Sequence, residues 1–556
     1  MVTPLNSNKI AYFSMEIGIR NDIPTYSGGL GVLAGDVIRS SADLSVPMIA
    51  VTLVSRKGYL KQKLSTQGEQ QELPDEWDPA TTLELAPKTV EINIENAPLK
   101  IQAWIYEQRS TVGHTIPILF LDTDLSENSP ENRRITDSLY GGDQQNRLKQ
   151  EAVLGMGGTR MLEALNYKIS KYHMNEGHSA LLTLELLNKY DMDIDKVRHR
   201  CIFTTHTPVE AGHDRFSYEL VEKTLRKEFP ISIIKELGGE DKLNMTLLAL
   251  NLSGYHNGVT KAHSQQSLKI FPHYEIRAIT NGVHTNTWTS PSYHKLFDKY
   301  IPGWANEPEL LVRIEKAPNC DIWAAHTENK NSLFNLIKEK TDEDLDPTIL
   351  TIGFARRATG YKRAKLIFSD LTRLREINKI RPIQLIFAGK AHHRDIGGKQ
   401  LIKEIFWYKN QLKDELKVVY LENYDMEIAA KLTSGVDVWL NTPLPPLEAS
   451  GTSGMKAAHN GVINFSVLDG WWIEGCMEGI TGWAIGPSPE AIITEEERRR
   501  NEIEDLFNKL KYLIVPKYYE ERDHWTEMMK NSIGKVAYYF NSDRMMRRYI
   551  TDAYLT

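Results

Sequence analysis

The amino-acid sequence predicts an α/β protein of two doubly wound domains facing each other across a cleft, followed by a helical C-terminal tail. Three observations lead there. Short runs rich in β-branched residues alternate with amphipathic helical patterns through both halves of the chain, as parallel sheets covered on both faces require. At 556 residues the chain is too long for a single hydrophobic core. The conspicuous polar residues follow directly after strand runs, where open α/β sheets bind ligands.

In the first half, strands are read in "KIAYFSMEI", "VPMIAVTLVS", "TIPILFLDTD", "YKISKYHMNE", "RCIFTTHTP" and "EIRAITNGV". The second half offers "TILTIGFARR", "IQLIFAGKA", "LKVVYLENY", "VDVWLNTP" and "GVINFSVLDG". Helical patterns such as "RLKQEAVLGMGGTRMLEAL" and "GKQLIKEIFWYKNQLKDEL" fall between them. The expected blocks are residues 1–285, 286–535 and a tail, 536–556, that returns to the N-terminal domain. After Thr494 the chain reads as helix throughout, opened by a capping box of Thr494 and Glu497.

Composition bounds the function. Hydrophobic content of 41% and charged content of 25% are those of a soluble globular protein. A net charge of −6 argues against a general nucleic-acid binder. Cys201, Cys320 and Cys476 are odd in number and far apart, which suits a reducing compartment. The N-terminus "MVTPLNSNKIAYF" lacks the pattern of a signal peptide, and no apolar run reaches membrane-spanning length. A cytoplasmic location is expected, with no membrane partner.

Three stretches carry chemistry. "YSGGLGVLAGD", Tyr26 to Asp36, places glycines at the start of a helix, where backbone N–H groups favour an anion; a tight turn is the plainer reading. "RRATGYKRAK", Arg356 to Lys365, is dense in cations. A solvated basic face would account for it, but Arg356 and Arg357 leave a buried strand directly, and a guanidinium with an ammonium holds phosphate well. "EASGTSGMKAAHNG", Glu448 to Gly461, surrounds Lys456 with small residues, as would suit a planar phosphorylated group lying against the backbone. It is not a nucleotide-binding P-loop, whose glycines are differently spaced. A Schiff-base lysine is one of several roles open to it.

"EASGTSGMKAAHNG" followed by "LDGWWIEG" resembles the pyridoxal-phosphate site of the α-glucan (glycogen, starch, maltodextrin) phosphorylases. "YFSMEI", "SGGLGVLAGD", "RLKQE", "TTHTPVEAGH", "NGVTKAHS", "TNGVHTNTW", "RRATGYKR", "FAGKA" and "LENYDMEIA" follow in that family's order. The resemblance implies two Rossmann-like domains of the GT-B glycosyltransferase type. It also implies reversible phosphorolysis of α-1,4-glucan by inorganic phosphate to glucose 1-phosphate, with configuration retained. The cofactor's 5′-phosphate would act as proton relay, and the enzyme would be a homodimer.

Residue by residue, the resemblance implies that Lys456 anchors pyridoxal phosphate. Arg357 and Lys362 would bind substrate phosphate. The Gly29 backbone N–H, with Leu30 beside it, would be a further donor to the phosphate groups. Arg356 stands where longer members have a lysine touching the cofactor phosphate. Thr452 and Ser453 would hydrogen-bond that phosphate, Tyr424 would lie close to it, and Trp288 would pack near the ring. Glu448, Ala449, Ser450 and Gly451 match the sugar-binding turn, with Asn281 near the 6-hydroxyl. His206 would face the glucosyl unit, and Asp143 resembles a carboxylate flanking the site. The family's longer N-terminal extension, with its phosphorylation site and part of an AMP site, is not expected here. No metal is expected: His173, Glu176, His178, His392 and His393 fit no ligand spacing and read as structural or sugar-contacting. Trp471 and Trp472 read as core. Two alternatives stay open, a sugar-nucleotide-dependent glucan synthase on the same fold and a catalytically inactive glucan-binding relative.

Overall fold

The computed structural model describes residues 8–111 and 114–556; the first seven residues of the N-terminus read above lie outside them. The chain divides into two compact units. The first comprises the described part of Met1–Leu60, Pro74–Thr280 and Met545–Thr556; the second comprises Lys61–Leu73 and Asn281–Arg544. This division departs from the consecutive blocks 1–285, 286–535 and 536–556 in the placement of Lys61–Leu73 and in the start of the returning tail.

The first unit is built on a 10-stranded sheet. Its parallel part runs Arg277–Ala278, Tyr255–Gly258, Cys201–Thr204, Ile169–Asn175, Lys9–Ser14, Met48–Leu53, Thr115–Asp122. Antiparallel strands, led by Ala97–Arg109, extend the last edge. The chain therefore enters at a central strand, builds outward on one side, then returns to build on the other. Alternate residues serve opposite faces, as the period of a strand dictates. Ile10, Tyr12, Met48 and Ala50 pack on one face, and Ala11, Phe13, Ile49 and Val51 on the other. The first face is completed by Met545, Met546, Tyr549 and Tyr554 of the tail. The Tyr554 hydroxyl lies 2.8 Å from His173 Nδ1, and Asn257 Nδ2 donates to the Tyr549 hydroxyl at 3.0 Å.

The second unit holds a 6-stranded parallel sheet in the order Lys417–Leu421, Ile383–Ala388, Leu350–Ala355, Val438–Asn441, Ile463–Val467, Gly482–Ile485. Numbered along the chain this is 3-2-1-4-5-6, the order of the doubly wound nucleotide-binding folds. The hairpin of Lys61–Leu64 and Gln70–Leu73 belongs here because its glutamines are satisfied here. Gln62 Nε2 donates to Gly389 O at 3.0 Å, and Gln70 Nε2 to Ala391 O at 2.9 Å. Asn423 N donates to Gln62 Oε1 at 2.9 Å. The hairpin thus braces two loops at the carboxyl ends of sheet strands. The Thr494 capping box is present, with Glu497 N donating to Thr494 Oγ1 at 3.2 Å.

A buried ionic cluster ties the long helix Asn319–Thr341 to this sheet. Lys330 Nζ lies 2.6 Å from Asp437 Oδ2, His326 Nε2 lies 2.8 Å from Asp437 Oδ1, and Thr351 N donates to Oδ2 at 2.7 Å. Burial pushes the Asp437 carboxyl up, but Lys330 and His326 outweigh it and hold the group below the usual carboxylate range. Lys330→Met should cost about 3–5 kcal/mol by leaving a buried charge short of its counterion, as read by denaturant melts at pH 7. Because the folded-state pKa is depressed, the carboxylate's contribution is present above its unfolded pKa near ~4 and is lost as pH falls through the folded value. Wild type and variant should therefore converge in acid. Among the described residues no helix is long and apolar enough to cross a membrane.

Candidate active site

In the second unit, strand order reverses between Leu350–Ala355 and Val438–Asn441, and a crevice for ligands opens outside such a reversal. The residues leaving those two strands are Arg356 and, after a short loop, Glu448. Their side chains meet: Arg356 Nη1 lies 2.6 Å from Glu448 Oε2, and it also bonds Asn441 Oδ1. Lys362, from the short helical turn Gly360–Lys362, places Nζ 2.6 Å from the same Glu448 oxygen. Burial pushes the Glu448 carboxyl up, yet Arg356 and Lys362 together keep it below its ordinary range. Arg357 is exposed. Its charge reaches His392, which burial, His393, Arg357 and Arg394 hold down at about 4. Two cations on one carboxylate, with Arg357 next to Arg356 in the chain, leave a positive excess that suits a phosphate dianion.

Gly389 stands beside this cluster with φ of +150°, and a Cβ built on it would lie 1.9 Å from Arg356 O. Gly389→Ala must therefore push the Arg356 loop off position. The expected result is a loss of about 10²-fold in turnover with the fold retained, the scale of an ångström-sized misplacement, as read by kinetics beside circular dichroism.

Beyond Glu448 the chain turns through Ala449 and Ser450 to Gly451, whose φ of 94° makes it the left-handed N-cap of the helix Thr452–Ala458. Ser450 Oγ is buried without a hydrogen-bond partner, as is Asn281 Oδ1. Thr452 and Ser453 form the first turn, and Ser453 Oγ accepts from Trp439 Nε1 at 3.2 Å. Lys456 lies one turn on. It is only 6% exposed, and its Nζ sits 3.7 Å from the centre of the Trp288 ring. Asn460 joins the two elements, donating to Trp288 O at 2.8 Å and to Lys456 O at 3.0 Å. Tyr424, half-buried and near enough to feel the charge of Arg356, has its phenol pushed up by burial.

Two of the glycines around Lys456 have a different cause from the one expected. A Cβ on Gly454 would meet Asn464 Oδ1 at 2.5 Å and Trp471 at 2.7 Å, and Gly461 turns with φ of 68° against Tyr293 and Met529. The protein's own side chains fill the space at those two glycines. Trp471 and Trp472 are core residues, 1% and 0% exposed.

The first unit has its own reversal, between Lys9–Ser14 and Ile169–Asn175. Each strand there delivers a glutamate. Glu16 Oε2 accepts from the N–H groups of Ser27 at 2.6 Å and Gly28 at 3.2 Å, and Glu16 Oε1 accepts from Tyr140 at 2.8 Å. An internal carboxylate therefore occupies the first two donors of the glycine loop. Gly29 and Leu30 open the 15-residue helix Gly29–Asp43, and a Cβ at Gly28 or Gly29 would meet nothing within 4 Å. Space for a group to approach the backbone lies at those two positions. Glu176 Oε2 accepts from His206 N at 2.8 Å and from Thr207 Oγ1 at 2.9 Å. The His206 ring bonds Asn175 Oδ1 at 2.6 Å. Burial, and then the neighbouring histidines, lower His206 to about 3, so its ring is neutral at physiological pH. Asp143 is exposed and caps the helix Gln144–Ala152, accepting from Asn146 N at 2.9 Å.

Within the second unit the structure brings Arg356, Lys362 and Glu448 into direct contact and sets Lys456 on Trp288. Sequence reasoning missed Glu16, Asn441, Asn460 and Asp469, and read Glu176 only as structural or sugar-contacting. Glu16 and Glu176 did carry a signal, since both follow strand runs. A buried primary amine on a flat aromatic face fits a planar carbonyl compound. The nearby helix start, with two hydroxyls and the orphaned Ser450 Oγ, fits a phosphate on that compound.

The carbohydrate phosphorylase family model matches residues 213–480. The chain is 40% identical to the maltodextrin phosphorylase of Thermococcus litoralis, over 98% of this chain and 70% of that protein. It is 36% identical to the glycogen phosphorylases of Mycobacterium tuberculosis and Aquifex aeolicus. In both cases 98% of this chain is covered, against 70% and 86% of the relatives.

Proposed function

Since this chain belongs to the carbohydrate phosphorylase family, we propose that it is an α-glucan phosphorylase. It takes terminal α-1,4-linked glucose from glycogen, starch or maltodextrin with inorganic phosphate and releases glucose 1-phosphate, reversibly and with retention. The bond formed joins a phosphate oxygen to the anomeric carbon, the glycosidic C–O bond breaks, and the departing O4 becomes a hydroxyl by taking up the proton that orthophosphate gives up. Pyridoxal phosphate held at Lys456 supplies, when bound, a 5′-phosphate that can keep and release a proton near neutrality.

The chain's own residues do the rest. Lys456, on Trp288, anchors the cofactor, with Thr452, Ser453, Tyr424 and Arg356 toward its phosphate. Arg357 and Lys362 hold the substrate phosphate, and the backbone N–H of Gly29, with Leu30 beside it, adds a donor. The Glu448, Ala449, Ser450 and Gly451 turn and Asn281 orient the sugar. His206, neutral, faces the glucosyl unit as positive charge builds at the anomeric carbon. Asp143 contributes a carboxylate at the rim. The reading is of an enzyme of the GT-B type, whose reaction requires that water be kept out. A homodimer in the cytoplasm completes the reading, in keeping with three unpaired cysteines.

The observation that carries this reading is the buried Lys456 amine seated on Trp288. The test is phosphorolysis assayed across maltooligosaccharide lengths, with and without added pyridoxal phosphate, beside borohydride fixation. Release of glucose 1-phosphate and one pyridoxyl group on Lys456 are expected. Elongation from a nucleotide sugar with no group fixed would assign a glucan synthase, and glucan binding without turnover an inactive relative.

A further inference from the structure

Asp469 lies in "LDGWW", after the strand Ile463–Val467, and is 3% exposed. Its Oδ2 accepts from the backbone N–H of Glu448 at 2.8 Å, and its Oδ1 from Gly470 N at 2.9 Å. The loop that carries it is laid on the backbone of the Glu448–Gly451 turn. Trp471 N donates to Ser450 O at 2.9 Å. A Cβ on Gly470, whose φ is +54°, would lie 2.4 Å from Ser450 O and 2.7 Å from Glu448 O. Glu448 is thus held from two sides, at its main chain by Asp469 and at its carboxylate by Arg356 and Lys362.

A neutral side chain could cap a single N–H group, and a buried charge beside another carboxylate is an expensive way to do so. What the charge adds is form. Both groups that face the Asp469 oxygens are donors, so a proton there would confront N–H groups and loosen the hold on the turn. We propose that Asp469 is a positioning residue for phosphorolysis: as the carboxylate it fixes the Glu448 turn, and through Glu448 it fixes the placement of Lys362 and Arg356. This rests on the function proposed above. Its titration falls in the working range. Burial and the charge of Glu448 raise the carboxyl, the Glu448 and Gly470 N–H groups and Lys362 oppose them, and the outcome is a value pushed up to about 7. Those are the charged and titratable groups that bear on it; Arg356 acts through Glu448.

The experiment compares kcat and KM for orthophosphate between pH 5.5 and 8.5 in wild type, Asp469→Asn and Asp469→Glu, all loaded with pyridoxal phosphate. Ionisation of orthophosphate itself affects all three alike, so the ratio of wild type to variant isolates the residue. For Asp469→Asn, kcat should be about 10- to 100-fold below wild type at pH 8, with the ratio closing toward 1 as pH falls through 7. Asp469→Glu should restore the acid limb. A ratio constant with pH would assign Asp469 a purely structural part and overturn the proposal, as would an Asp469→Asn enzyme equal to wild type at pH 8. Should Asp469→Asn fail to fold, Glu448→Gln decides. Removing the neighbouring negative charge must move the acid limb of the residual kcat to lower pH, and an unmoved limb overturns the proposal. Failure of the functional reading looks different: wild type then yields no glucose 1-phosphate at any pH.

Discussion

Lys456→Ala is expected to abolish phosphorolysis, by at least about 10³-fold, and the purified variant to retain no pyridoxal phosphate through dialysis. The reason is chemical rather than electrostatic. Lys456 contributes two things to the buried site, a positive charge on the face of Trp288 and a primary amine. Lys456→Arg separates them. A guanidinium keeps the charge and the stacking on indole but is no nucleophile at neutral pH, so this variant should melt within a few degrees of wild type and be equally inactive. Absorbance of the bound cofactor and its fixation by borohydride check the anchor; glucose 1-phosphate release checks the activity. Normal turnover in either variant, with a wild-type absorption spectrum, would remove Lys456 from the mechanism.

Arg357→Ala is expected to raise the KM for orthophosphate by about 10- to 100-fold, the range for losing a charged hydrogen-bond partner worth about 1.5–3 kcal/mol, while the KM for maltodextrin should move by less than about threefold. The contrast with its neighbours makes the prediction specific. Arg356 and Lys362 both hold Glu448, so removing either disturbs the sugar-binding turn as well as the cation set. Arg357, proposed above as a ligand of the substrate phosphate, is given no part in the sugar-binding turn. Its loss should therefore be read in one substrate and not in the other. Equal loss toward phosphate and glucan would contradict its role.

The parallel strands were legible because strands buried on both faces read as unbroken apolar runs, and Leu350–Ala355 and Ile383–Ala388 are buried at every residue. Tyr255–Gly258 was not, since "YHNG" has no apolar run and becomes a strand only by pairing with Cys201–Thr204 and Arg277–Ala278. Ala97–Arg109 alternates in burial along its length, a half-exposed pattern easily lost among predictions of fully buried strands. The Lys61–Leu73 hairpin carries no sign in its own residues of the unit it joins, because the partners of Gln62 and Gln70 lie more than 300 positions away. In the site, Arg356 and Glu448 were legible from their place after strands; their contact required the strand order. The reading of the glycines around Lys456 failed at Gly454 because spacing says which residues are small, not which neighbour needs the room. Asn460 and Asp469 are single polar residues inside conspicuous motifs, and their roles depend on which backbone groups face them.

The return of Met545–Thr556 to the first face of the N-terminal sheet sets a timetable for biogenesis. On the ribosome, residues 8–280 emerge well before the segment whose Tyr549 and Tyr554 pack on His173. At about 5–20 residues per second, the nascent sheet waits on the order of tens of seconds with the part of its apolar face around His173 lacking that cover. Such an intermediate is a natural client for chaperones that shield hydrophobic surface, and a messenger stalled before codon 545 would release a product prone to aggregate rather than a working half-enzyme.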